Sequence, residues 1–158
     1  MKYRILTNEE LAELEDQLKQ FLIVNGVHNE DWKRINEEEP DKALDLIELF
    51  SDYVLQIVYE NTKYLEKRTP DTVYFFNYGK EKAELIALQR KNKEDSSIDL
   101  STAENIVDVL KNHSLELVFF RQEKAYSKTR EMEIHDMFTN GCMKMTEEFW
   151  ELLQKIVE

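Results

Sequence analysis

The chain has 158 residues, 42% of them hydrophobic and 34% charged, with three glycines and two prolines, a globular balance that excludes a disordered protein. Its formal net charge of −12 repels polyanions at long range and disfavours nucleic acid as a partner. The longest apolar runs, such as Phe21-Leu22-Ile23-Val24, are far short of the ~20 residues of a membrane helix, so no membrane partner is expected.

In chain order, Thr7-Asn8-Glu9-Glu10 has the form of a capping box, the hydroxyl serving an orphan amide of the first turn while the glutamate reaches back. Leu11, Leu14, Leu18, Phe21 and Leu22 then recur at helical spacing until Asn25-Gly26 supplies a stop. A short helical turn over 30–37 is anchored by Trp32 and Ile35, and Pro40 opens the longest helix. Its stripe of Ala43, Ile47, Phe50, Val54, Ile57 and Leu65, widened by Leu44, Leu46, Tyr53 and Val58, implies packing on more than one neighbour.

The period then changes. Residues 71–78 and 82–91 are rich in aromatic and aliphatic side chains and read as a hairpin with Gly79-Lys80-Glu81 as its loop, which places Tyr78 opposite Lys82 and Asp71 opposite Gln89. After a polar loop over 92–97, Ser101-Thr102-Ala103-Glu104 resembles a second capping box ahead of Ile106, Val107 and Leu110. Residues 115–121 are apolar on both faces, as expected of a central strand. Residues 129–140 read as a helix ended by Gly141, and Thr146 caps a last helix presenting Phe149, Leu153 and Ile156. The expected fold is α+β in one domain over 1–158: a helical part at 7–67, a small, mostly antiparallel sheet of about three strands within 71–128, and a helical part at 129–158.

Met1-Lys2-Tyr3-Arg4, Asp31-Trp32, Phe50-Ser51-Asp52, Tyr64-Leu65-Glu66-Lys67-Arg68, Ile98-Asp99-Leu100, Lys124-Ala125-Tyr126 and Arg130-Glu131-Met132-Glu133-Ile134 together resemble a small uncharacterised family of the Bacteroidetes group of bacteria. The resemblance spans nearly the whole chain. It implies a free-standing bacterial cytoplasmic domain and carries over no functional residues. The apolar run after Arg4 stops at once, unlike a signal peptide, and the lone Cys142 suits a reducing compartment. The cytoplasm is the expected location.

Charge is uneven. Residues 1–66 hold sixteen acids and seven bases, whereas 67–93 hold three and seven, and 121–130 hold one and four. Lys82, Arg90, Lys91, Arg121, Lys124, Tyr126 and Arg130, interleaved with Tyr74, Phe76 and Tyr78, are candidate ligand-binding residues if the two basic islands meet. Cations beside stacking rings suit a single-stranded nucleic acid or a phosphorylated ligand. The competing reading is charge complementarity within the molecule. On the acidic side, Glu37-Glu38-Glu39, Asp41, Asp45, Glu48 and Asp52 form either a recognition face for a basic protein or a solvated helix surface.

Three constellations bear on catalysis or metal binding. Pro70-Asp71 with Gln89-Arg90-Lys91 looks like a degenerate restriction-type nuclease motif, in which carboxylates hold a divalent cation and a lysine stabilises the attacking water or the transition state. Asp71, Gln89 and Lys91 are its catalytic candidates, with Gln89 standing where a second carboxylate is needed; Glu60 or Glu66 is a possible substitute. Glu131 and His135 lie four apart, within reach of one metal ion on a helix, but a zinc site uses at least three protein ligands. Cys142, His28 and His113 read as structural. The function expected is therefore a non-enzymatic interaction domain that needs no cofactor and binds a protein partner or itself. The alternatives are a degenerate metal-dependent phosphodiesterase and a nucleic-acid or phosphorylated-ligand module.

Overall fold

Thr7 starts the first helix in the computed structural model, which describes residues 1–157. Its hydroxyl accepts from the Glu10 amide at 3.2 Å, and Glu10 Oε1 accepts from the Thr7 amide at 3.0 Å, so the expected capping box forms. The expected single helix is two: α1, Asn8–Glu13, ends at Leu14 (φ −104°, ψ 22°), and α2, Glu15–Val24, follows. No glycine or proline marks this break. Asn25-Gly26 does stop α2. Gly26 has φ +80°, its amide donates to Ile23 O, and the Val27 amide reaches back to Leu22 O at 2.8 Å. This is a Schellman cap, and its positive φ favours glycine. α3, Asn29–Glu38, and α4, Pro40–Glu60, complete the helical part.

The chain divides into two compact units, Met1–Val58 and Tyr59–Glu158. In the first, Leu22, Val27, Ile35 and Ala43 form the core, flanked by Leu18, Trp32 and Leu46. The broad stripe of α4 is only partly buried. Phe50 is enclosed, while Leu44, Leu49, Tyr53 and Ile57 are exposed.

The second unit is built on a five-stranded antiparallel sheet in the order β4-β3-β2-β1-β5, which corrects the expectation of about three strands. The strands are β1, Tyr64–Arg68; β2, Thr72–Tyr78; β3, Lys82–Arg90; β4, Leu117–Ala125; and β5, Met143–Lys144. Between and after them come α5, Ala103–Asn112; α6, Arg130–Thr139; and α7, Glu147–Val157. β1 falls where the stripe of the long helix was extended to Leu65. That helix ends at Glu60, and Leu65 is fully buried in a strand. Only Tyr64 and Leu65 are apolar there, too short a run for alternation to show.

One face of the sheet carries the core. Val73 and Phe75 of β2, Ile86 and Leu88 of β3 and Leu117 of β4 pack with Ile106, Val109 and Leu110 of α5 and with Trp150 and Leu153 of α7. Each such side chain contributes on the order of 1.5–3 kcal/mol by leaving water. On the opposite face, α6 sits over the hairpin end, where its Glu133 and Met137 share a cavity with Phe76 and Tyr78. Thr129 caps α6 through the Met132 amide. Gly141, at φ +93°, closes its other end in a second Schellman cap, with the Cys142 amide on Met137 O at 3.0 Å.

Two further expectations change. The cap of α5 is Thr102, which accepts from the Asn105 amide, so Ser101 is not its first residue. The strand expected at the centre of the sheet lies at its edge, and a 3-10 turn over Ser114–Glu116 delays its start to Leu117. Its apolar alternation did not mean burial on both sides, because Phe120 is exposed.

Candidate functional site

The hairpin register decides which sequence candidates meet. The Gly79 amide donates to Lys82 O at 3.0 Å, which leaves Lys80-Glu81 as the turn. Tyr78 therefore pairs with Ala83 and Thr72 with Gln89, one residue away from the expected alignment. Asp71 lies opposite Arg90, whose amide donates to Asp71 O at 3.0 Å. A one-residue slip exchanges faces: Asp71 falls on the side of Val73, while Gln89 and Lys91 fall on the other. The Asp71 carboxylate accepts from Thr69 Oγ1 at 2.9 Å, and this bond holds its pKa below the ordinary carboxylate value. Asp71, Gln89 and Lys91 are thus not brought to one point.

The Glu131 and His135 pair is also divided. Glu131 lies 3.6 Å from the Arg130 guanidinium, and His135 Nδ1 is 2.9 Å from the Tyr59 hydroxyl. Among the described residues, no group of three or more His, Cys, Asp or Glu side chains is placed to hold a metal ion. Cys142 is buried, and burial pushes its thiol pKa up, the opposite of what activates a nucleophile.

The basic islands do not form one continuous patch. Lys82 and Arg90 stand at opposite ends of β3, about 26 Å apart at 3.3 Å per residue. Arg90 is a loop anchor: its guanidinium donates to Asp95 O at 2.8 Å and Ile98 O at 3.0 Å, and also to Lys93 O. Lys91 is exposed beside it. At the hairpin end, Lys82 pairs with Glu123 at 3.0 Å, Arg121 approaches Glu84 at 4.0 Å, and Lys124 pairs with Glu133 at 3.1 Å.

Arg130 and Tyr126 fasten that end. Arg130 donates to Tyr59 O at 3.0 Å, to Tyr78 O at 3.0 Å and to Thr62 O. Three backbone carbonyls are thereby held by one fork of donors. Tyr126 stacks on Tyr78 with ring centroids 6.1 Å apart, and its hydroxyl donates to Gly79 O at 2.6 Å. Burial raises the pKa of both phenols, most strongly for Tyr78. Glu133 is a residue that sequence reasoning missed. It is 7% exposed, and its Oε1 accepts from the Ser127 amide and hydroxyl. Its spacing in α6 gives no signal that separates it from Glu131.

What remains open is the backbone of β4. The bonds Gly79 N to Lys82 O and Arg90 N to Asp71 O show that even-numbered residues of β3 bond to β2. The odd-numbered ones therefore bond to β4, as Lys91 N to Glu116 O at 2.9 Å confirms. It follows that Val118, Phe120, Gln122 and Lys124 point their amides and carbonyls inward to β3. Phe119, Arg121, Glu123 and Ala125 point theirs outward. Among the described residues no strand lies beyond β4, and residues 120–125 are all exposed. The ladder to β3 runs through nine consecutive pairs without a bulge, and β4 contains no proline.

Next to this edge is a row of side chains formed by Lys67, Tyr74, Ala87 and Phe120, one from each of four adjacent strands. Tyr74 is 37% exposed and Phe120 is 47% exposed. Of the expected aromatic and basic set, Tyr74 and Lys124 share this face with Phe120, while Arg121 falls on the other.

No curated protein and no solved structure matches this chain. A match to a single family spans residues 1–158, and the chain belongs to that family, the family of unknown function DUF6495.

Proposed function

We propose that this chain is a non-enzymatic interaction module that binds an extended protein segment along the outer edge of β4. The observation that carries this reading is the run of four outward residues, Phe119, Arg121, Glu123 and Ala125, beyond whose backbone groups no strand lies among the described residues. A long, flat edge is a template for strand addition, and proteins that do not use such an edge keep it very short or blunt it with charged side chains, proline, a bulge or a covering element. The opposite edge is blunted in that way, since β5 is only two residues long. β4 has nine.

The acidic helical face is a poorer candidate. Asp52 accepts from the backbone amides of Lys2 and Tyr3, and Glu38 and Glu39 pair with Arg34. These carboxylates serve the first unit itself. Lys82, Arg90, Arg121, Lys124 and Arg130 likewise have internal partners, which leaves little for a phosphorylated ligand.

The test is selection of binding peptides from a random displayed library, followed by amide shift mapping. Selected peptides are expected to perturb Phe119, Arg121, Glu123 and Ala125, and to lose binding to the Arg121→Pro variant. Proline there removes only an outward N–H, which an edge strand tolerates. Binders that map elsewhere, or that bind Arg121→Pro equally well, would overturn the reading.

A further inference from the structure

We infer that the segment accepted by β4 is β4 of a second copy of this chain, joined antiparallel about a two-fold axis at Gln122. This inference rests on the strand-addition reading above. Its argument comes from the sequence of the strand and the parity of its backbone.

Only outward residues can exchange ladder bonds with an added strand, so odd-numbered residues of one copy must face odd-numbered residues of the other. In a two-fold pairing, that rule confines the axis to positions directly at a residue. An axis at Arg121 sets Arg121 against itself, and an axis at Glu123 sets Glu123 against itself; like charges directly opposite destabilise a sheet. An axis at Gln122 sets Arg121 opposite Glu123 of the second copy, twice by symmetry. The same register puts Phe119 opposite Ala125 and Phe120 opposite Lys124, a large residue against a small one and a ring against a cation.

At the axis, the two Gln122 residues form a non-hydrogen-bonded pair with their amides side by side. Phe119, Arg121, Glu123 and Ala125 of each copy together complete about eight backbone hydrogen bonds. The charges on β4 thus act as a register filter. They oppose the neighbouring alignments and favour this one, which is specificity by penalising alternatives. Closed two-fold pairing uses up both open edges, so the assembly stops at two copies.

Net charge bears on where two copies can meet. At −12 overall two copies repel, but residues 121–130 hold four bases and one acid. The β4 edge is therefore a place where mutual repulsion is weakest.

The decisive experiment is sedimentation equilibrium on Arg121→Glu and Glu123→Arg, each alone and mixed one to one. Alone, each variant places like charges across both pairs and should self-associate about tenfold or more weaker than the parent chain. Mixed, every cross-pair is Glu against Arg, and association should return to the parent level. The contacts of Arg121 with Glu84 and of Glu123 with Lys82 lie within one copy, so mixing cannot restore them; recovery reports the contact between copies. A mixture no tighter than its components, or a parent chain that stays monomeric at millimolar concentration, overturns self-pairing. If library peptides then still map to the outward amides, self-pairing fails while strand addition stands; if they do not, both fail.

Discussion

Arg130, at the start of α6, and Lys82, in β3, show how differently two basic residues are used. Arg130, with its side chain 15% exposed, bonds three carbonyls, and truncating it removes all of these charge-assisted bonds. Arg130→Ala should cost about 3 kcal/mol, read as a fall in urea midpoint at unchanged slope. Lys82→Ala removes an exposed pair and should leave the midpoint nearly unchanged. The sequence displayed both as members of basic islands, because charge reports which residues are cations and not which carbonyl or carboxylate each will meet. The same limit hid Glu133.

A pH-dependent prediction also belongs to single residues. The Glu10 carboxyl is held down to about 2 from an ordinary 4.5, first by its hydrogen bonds from Arg4 and the Thr7 amide. A carboxyl lowered on folding stabilises the fold fully above its unfolded pKa and loses that contribution as pH falls through the folded one. Glu10→Gln should therefore be less stable than the parent at pH 7. In urea melts across the acid range, the gap should close as pH falls from 4.5 to about 2. A gap independent of pH would show that the ionised pair does not hold the cap. Thr7→Ala should cost about 1 kcal/mol at neutral pH.

Elements with local chemical signals were legible: the Thr7 box, the glycine stops at Gly26 and Gly141, the Thr146 cap and the existence of the hairpin. β1 and β5 were not. One is short and charged, the other has two residues, and both exist through pairing with distant chain. The hairpin register was misread because Gly79, counted as loop, joins the ladder. The rank of β4 was misread because apolar alternation says that a strand has two faces, not that both are covered. Proline substitution tests the parity assigned to this strand. Gln122→Pro removes an inward ladder bond and should cost about 3 kcal/mol, as a ring does wherever a bonded N–H is needed. Arg121→Pro should cost far less. Equal losses in thermal melts would contradict the assignment of inward and outward residues.

At the scale of the whole molecule, net charge of −12 opposes any association between copies at distances that salt screens, since the Debye length is about 10 Å at 0.1 M. The short Arg121 to Glu123 contacts are screened less than this diffuse repulsion. Self-association should therefore tighten as salt rises from about 0.01 to 0.1 M, and weakening over that range would mean that attraction between the edges is itself long-range. Fold class was readable from periodicity alone. The division at Val58 was not, because it leaves no linker in the sequence.

The central claim is that the outer backbone of β4 is open and takes a partner strand, and amide hydrogen exchange measures this residue by residue. In dilute protein, Val118, Phe120, Gln122 and Lys124 should exchange slowly, while Phe119, Arg121, Glu123 and Ala125 exchange fast. At millimolar concentration, the second set should become protected along with the first. Equal protection of all eight in dilute protein, or outward amides that stay fast at every concentration and with every selected peptide, would contradict the account.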